Sequence, residues 1–214
     1  MSLKPYFIAL EPAAPLLEHV WRAKRRVWLL AGDQQFLADP PHCTVYLAIF
    51  ADPIRLYTAV EKLVDEFPQQ PVQVTGWHTF DADPLTGYHT LVMDLNAEHA
   101  AELRRFQDRV IEELATLRDA VATKDRYQRR WKSLGAAQQQ AVARLGFPYL
   151  GEAWHPHLTV GSIAPADWPQ VAAELLHESP SFTCSWQTLK LYELRNETPH
   201  VCASFPLSEG VTSA

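Results

Sequence analysis

"HCTVYLAIF" (residues 42–50) and "HPHLTVGSI" (residues 155–163) both contain His-x-Thr-Val, and each copy opens an apolar run. Such runs, bounded by turn residues, read as buried strands. A strand needs neither the histidine nor the threonine. Side chains at i and i+2 of a strand share a face. The spacing therefore predicts His42, Thr44, Tyr46 and Ala48 on one face, with Cys43, Val45, Leu47 and Ile49 packed against helices on the other. His157, Thr159 and Gly161 repeat the pattern, with Leu158 and Val160 facing inward.

Working outward, each copy is followed by the same order of elements. "DPIRLYTAVEKLV" (52–64) and "PADWPQVAAELLHE" (165–178) read as helices with an early proline. "PVQVTGWHTF" and "YHTLVMDL" flank the turn "DADPLTG" in the first half. "FTCSWQTLKLYEL" and "HVCASFPL" are their counterparts in the second. "PYFIAL" (5–10) adds a strand before the first motif. Helices are predicted from about Ala13 to Leu30 and from about Asn96 onward. The stretch 124–150 reads as helical on both sides of Gly135 and ends at Gly146 and Pro148. The repeat is too long for a solenoid. The expected fold is α+β: one domain over 1–214, built as two pseudo-symmetric lobes of antiparallel sheet with helices on the outer faces and a cleft between them.

Composition removes several function classes. A net charge of -6 argues against binding long nucleic acid, where phosphate neutralisation dominates affinity. It leaves room for a small phosphate ligand in a locally basic cleft. "MSLKPYFIALEPAAP" does not read as a secretory signal, because Glu11 and Pro12 stop its apolar run. No stretch is long enough to suggest a membrane helix. Three scattered cysteines do not describe a disulfide framework. A cytoplasmic monomer is the expectation. Eight glycines supply no phosphate loop, and no cysteine pair has zinc-finger spacing.

If the two motif faces meet in one cleft, two imidazoles and two hydroxyls converge there. Neighbouring same-face side chains lie roughly 6.5 to 7 Å apart along a strand, close enough for one phosphate to touch both. Phosphodiester cleavage needs a base for the attacking oxygen and an acid for the departing one. Histidine can serve as either near neutral pH. Thr44 and Thr159 can donate hydrogen bonds to non-bridging oxygens as charge builds on them. One such motif is a weak signal, and two matched copies are a strong one.

"His42-Cys-Thr44-Val" and "His157-Leu-Thr159-Val" resemble the paired motifs of the 2H phosphoesterases, which include the 2′-5′ RNA ligase-like proteins and cyclic phosphodiesterases. The resemblance implies metal-independent chemistry without a cofactor on a small nucleotide or RNA-end phosphodiester, 2′,3′-cyclic or related. His42 and His157 would be catalytic, and Thr44 and Thr159 would bind phosphate. "GFPY" (146–149) with the second motif is also similar to a branch associated with phosphonate-utilisation genes, although Trp154-His155-Pro156 departs from its usual approach. Tyr149, Tyr46 and His155 are candidate substrate-lining residues.

Rival readings remain open at this point: a noncatalytic nucleotide- or RNA-binding module, 2′-5′ ligation, or a metal hydrolase built on His155 and His157. The third lacks an obvious carboxylate to complete a zinc set. The basic runs Arg22–Arg26 and Lys124–Lys132 read as solvated helix faces, with contact to a substrate phosphate as the alternative.

Overall fold

A computed structural model describes residues 3–209. Its strands are β1 (Lys4–Pro12), β2 (Cys43–Phe50), β3 (Pro71–Phe80), β4 (His89–Leu95), β5 (His157–Ile163), β6 (Phe182–Arg195) and β7 (Thr198–Pro206). All the pairings are antiparallel. The order is β2-β1-β6-β3-β4-β5, with β7 also on β6. The α+β expectation holds. Among the described residues, no helix is long and apolar enough to cross a membrane.

The duplicated order does not give one lobe per half of the chain. β2 pairs with β1, and β1 pairs with β6 of the second half. β5 pairs with β4 of the first half, and β4 with β3. Each motif strand thus lies at the edge of a half-sheet completed by the other half of the chain. Strand β6 joins the two: Phe182–Ser185 pair with β3, while Trp186–Glu193 pair with β1.

Helices α1 (Ala14–Ala31), α2 (Pro53–Val64) and α3 (Ala97–Leu114) pack on the sheet, and α6 (Trp168–Leu175) packs on α1. Their starts follow local chemistry. Asp52 caps α2 by accepting from the amides of Ile54 and Arg55, with Pro53 at the first helical position. Asn96 caps α3 through the Glu98 amide. On α1, Leu16, Val20 and Val27 are fully buried against the sheet.

The segment left ambiguous by periodicity folds as α4 (Ala120–Arg126), a 3-10 turn (Gln128–Ser133) and α5 (Ala136–Leu145). It carries its own small core of Tyr127, Leu134 and Val142, with Trp131 against it. Gly146 ends α5 at φ 90°, a left-handed conformation that glycine adopts without steric cost. A Cβ there would also lie 2.7 Å from the Arg118 Cδ.

Strict alternation fails within both motifs. On β2, Thr44 opposes Ala9 and Tyr46 opposes Ile8, so Val45 is an extra residue. On β5, Thr159 opposes Val92 and Gly161 opposes Leu91, so Val160 is the extra residue. These are β-bulges at the same motif position, and a bulge re-aims the side chains beyond it. Tyr46 is therefore turned into the core, fully buried, with its hydroxyl donating to the Leu145 carbonyl at 2.5 Å. Leu47 takes the cleft-side place beside Phe7 and Tyr192. In β5 the place expected for Gly161 goes to Ser162, which is fully buried and bonds Thr90 across the pair at 2.9 Å.

Candidate active site

The two bulged motifs open into one cleft of about 490 Å³, lined by His42, Thr44, His157 and Thr159 among others. The edge strands β2 and β5 come together here, and the Cys43 thiol reaches the His157 backbone. His155 and Tyr149 also line this cleft, whereas Tyr46 does not.

Both histidines are held in the same way. The Nδ1 of His42 lies 2.6 Å from the Pro40 carbonyl, and the Nδ1 of His157 lies 2.6 Å from the His155 carbonyl. A carbonyl can only accept, so in both rings the proton sits on Nδ1. The neutral ring then presents Nε2 with a free lone pair. The local sequence explains the match: Pro41 and Pro156 each precede a motif histidine. Proline restricts the residue before it to extended backbone, which fixes where the i−2 carbonyl points. This repeated proline is a sequence signal that the His-x-Thr reading passed over.

Each ring is half-buried among apolar and aromatic groups. Phe7 lies 5.1 Å from the His42 ring centroid, and Tyr192, itself stacked on Phe7, lies 5.6 Å from it. Phe80 is 5.2 Å from His157. Burial disfavours the charged imidazole. It pulls both pKa values down to about 4, against the opposing pull of the carbonyl bonds. Each histidine is neutral at pH 7.

Four further residues shape the cleft. Lys24 belongs to a run that reads as a solvated basic face, yet it is 3% exposed and lines the cleft. Its ammonium donates to the Phe36 carbonyl at 2.5 Å, tying α1 to the loop that delivers His42. Burial lowers its pKa to about 8. Asp83, in the turn after β3, accepts from Thr90 Oγ1 at 2.6 Å and faces the His157 side of the cleft. From the second basic run, Arg126 and Arg130 line the cleft, and Arg126 also pairs with Glu197.

Gln107 supports the first bulge from behind. Fully buried on α3, it donates to the Val45 carbonyl at 2.9 Å and the Tyr149 carbonyl at 3.0 Å, and accepts from the Gly151 amide at 3.1 Å. Gln107→Leu fills similar space but strands these groups. A loss of about 2–3 kcal/mol in stability is expected, at the usual cost of unmade buried bonds. A urea melt checks it, and an unchanged midpoint would remove Gln107 from this role.

The model of the "2'-5' RNA ligase superfamily" matches residues 16–198. The chain belongs to this superfamily. It is thus an enzyme of the 2H phosphoesterase type. No curated protein matches it in sequence. Among solved structures, TT0787 of Thermus thermophilus has a TM-score of 0.58 at 15% identity, covering 96% of this chain and 98% of that one. LigT of E. coli complexed with 3′-AMP has a TM-score of 0.55 at 10% identity, covering 96% and 99%. The same protein complexed with NADP+ has a TM-score of 0.53 at 10% identity, covering 98% and 100%. At these identities the likeness speaks for the fold.

Proposed function

We propose that this superfamily member opens 2′,3′-cyclic or related small phosphodiesters by paired acid–base catalysis between His42 and His157. The observation that carries the reading is the matched pair of rings. Both have Nδ1 tied to an i−2 carbonyl, and both leave Nε2 for the cleft. One Nε2 takes a proton from the attacking water. The water oxygen bonds to phosphorus as the bond to the departing ribose oxygen breaks. The other ring, protonated at Nε2, gives that oxygen its proton. The pair finishes with its protonation states exchanged and resets through solvent.

Thr44 and Thr159 stand beside the rings as hydroxyl donors for the non-bridging oxygens. The apolar walls Phe80, Leu85 and Phe147 suit a base or ribose, and Arg130 suits a further phosphate. That E. coli LigT has been crystallised with 3′-AMP, ATP and NADP+ supports a small nucleotide as the ligand class. With a 5′-hydroxyl attacking in place of water and the 3′-oxygen leaving, the same two proton transfers would form a 2′-5′ linkage. A pure binding module leaves the duplicated ring geometry without a use.

The test is turnover of nucleoside 2′,3′-cyclic phosphates and linear dinucleotides, with and without EDTA. Ring opening at equal rates in both conditions is expected. Loss of activity on chelation, restored by one particular ion, would replace the paired-imidazole mechanism with a metal one.

A further inference from the structure

We infer that His78, Asp94 and His155 form a binding site for a zinc-class divalent ion on the sheet beside the cleft. One donor atom from each residue lies within 4.8 Å of the other two. The three come from three adjacent strands or their flanks. His78 is on β3, Asp94 is on β4, and His155 precedes β5 by two residues. Asp94 sits directly opposite His157 in the β4–β5 pair, and His78 sits opposite Val92 in the β3–β4 pair. Ladder pairing therefore fixes the backbones of His78 and Asp94, and His155 lies two residues from a paired strand end, so little ordering remains to be done when an ion arrives.

The side chains are already gathered. His155 Nε2 is 2.6 Å from Asp94 Oδ1, and the His78 and His155 rings stack at 4.5 Å. Phe80 packs edge-on against both rings, at 4.7 Å and 5.5 Å, and shields one flank from water. All three ligands are half-buried, so an ion could enter without unfolding the sheet. Metal–ligand bonds of about 2.0–2.2 Å would require the His155–Asp94 hydrogen bond to open slightly as the ion takes the place of its proton.

Two imidazoles and one carboxylate select for zinc and its first-row neighbours over magnesium or calcium, which take oxygen ligands. Three protein ligands leave a further coordination position for water or a ligand oxygen. The site is separate from the acid–base pair, because His42 is not in it and His157 Nδ1 is engaged by the His155 carbonyl. His155 alone touches both: its ring belongs to the cluster and its carbonyl orients His157. No step of the proposed turnover uses the ion.

The experiment is a titration of metal-stripped full-length protein with Zn2+ against a chromophoric chelator. Co2+ serves as a spectroscopic probe and Mg2+ as a competitor. The expected result is one Zn2+ per chain, ligand-field bands with Co2+, and no displacement by Mg2+. His78→Gln and Asp94→Asn keep size and should keep the thermal melt. Each should weaken Zn2+ binding at least about tenfold, since losing a ligand costs no less than losing an outer-shell partner. His42→Ala and Cys202→Ser should leave the affinity unchanged. No Zn2+ uptake by the wild type overturns the site, and so does equal uptake by both ligand variants with unchanged melts. Because the readout is binding, its failure leaves the paired-imidazole reading untouched.

Discussion

Replacing His42 or His157 with Ala is expected to lower turnover of a cyclic phosphodiester by roughly 10²- to 10⁴-fold, the range a positioned general acid or base supplies. The two single losses should be of similar size, because the rings are held by equivalent bonds in equivalent surroundings. The double variant should lose little more than either single one. Removing one partner already breaks the proton circuit, and residues that act as a unit are not additive. Folding should change little, since each ring is half-exposed, His157 sits in a ladder that alanine can keep, and His42 directly precedes β2. Circular dichroism and a steady-state assay on the three variants check this. A single variant that keeps full turnover would break the two-histidine account.

The second large effect is on pH. One imidazole must be neutral while the other is protonated, so the active form is the singly protonated pair. Burial holds both pKa values at about 4, and at each the charged state is what burial disfavours. The second proton is resisted further by the first, because His157 lowers His42. Above the pKa values the singly protonated fraction falls tenfold per pH unit. The expected result is a kcat/KM that rises as pH drops from 8 toward 5, by as much as about 10³-fold over the three units. The limbs belong to the pair and not to either ring. In the complex, the negative phosphodiester stabilises the imidazolium, so kcat should reach its plateau at higher pH than kcat/KM. A kcat/KM that climbs steadily from pH 5 to 8 would mean that no imidazolium is needed in the free enzyme.

The elements of the fold were legible because their signals are local. Asp52-Pro53, Asn96 and Gly146 announce helix ends in the sequence, and the structure uses each of them there. The crossing of strands between half-sheets was not legible, because strand partners are chosen by distant packing and not by the strand's own pattern. The bulges were hidden for a different reason. "TVYLAIF" is apolar at nearly every position, so a one-residue slip leaves its hydrophobic pattern intact while turning Tyr46 inward and Leu47 outward.

Some cleft residues were readable from a finer pass. Lys24 falls four residues after Val20 and three before Val27, on the apolar stripe of α1, where a solvated lysine has no place. Gln107 breaks the stripe of Leu103, Phe106 and Val110 in the same way. A polar residue on a buried stripe has a partner to meet. By contrast, His78 and Asp94 carried no local mark. They meet His155 only through the β3–β4–β5 pairing, which is why the missing carboxylate of a metal set could not be found in the sequence.

The central claim is that the cleft pairs two imidazoles for proton transfer rather than for ligand holding. The most direct measurement sets turnover against affinity in His42→Ala/His157→Ala: single-turnover opening of a nucleoside 2′,3′-cyclic phosphate, and calorimetric binding of 3′-AMP, in EDTA. The account predicts ring opening lost by at least about 10²-fold, with 3′-AMP affinity kept within about tenfold by the threonines, Arg130 and the apolar walls. Full ring opening by the double variant would contradict it, and so would a wild type that binds 3′-AMP in the cleft yet opens no cyclic phosphodiester at all.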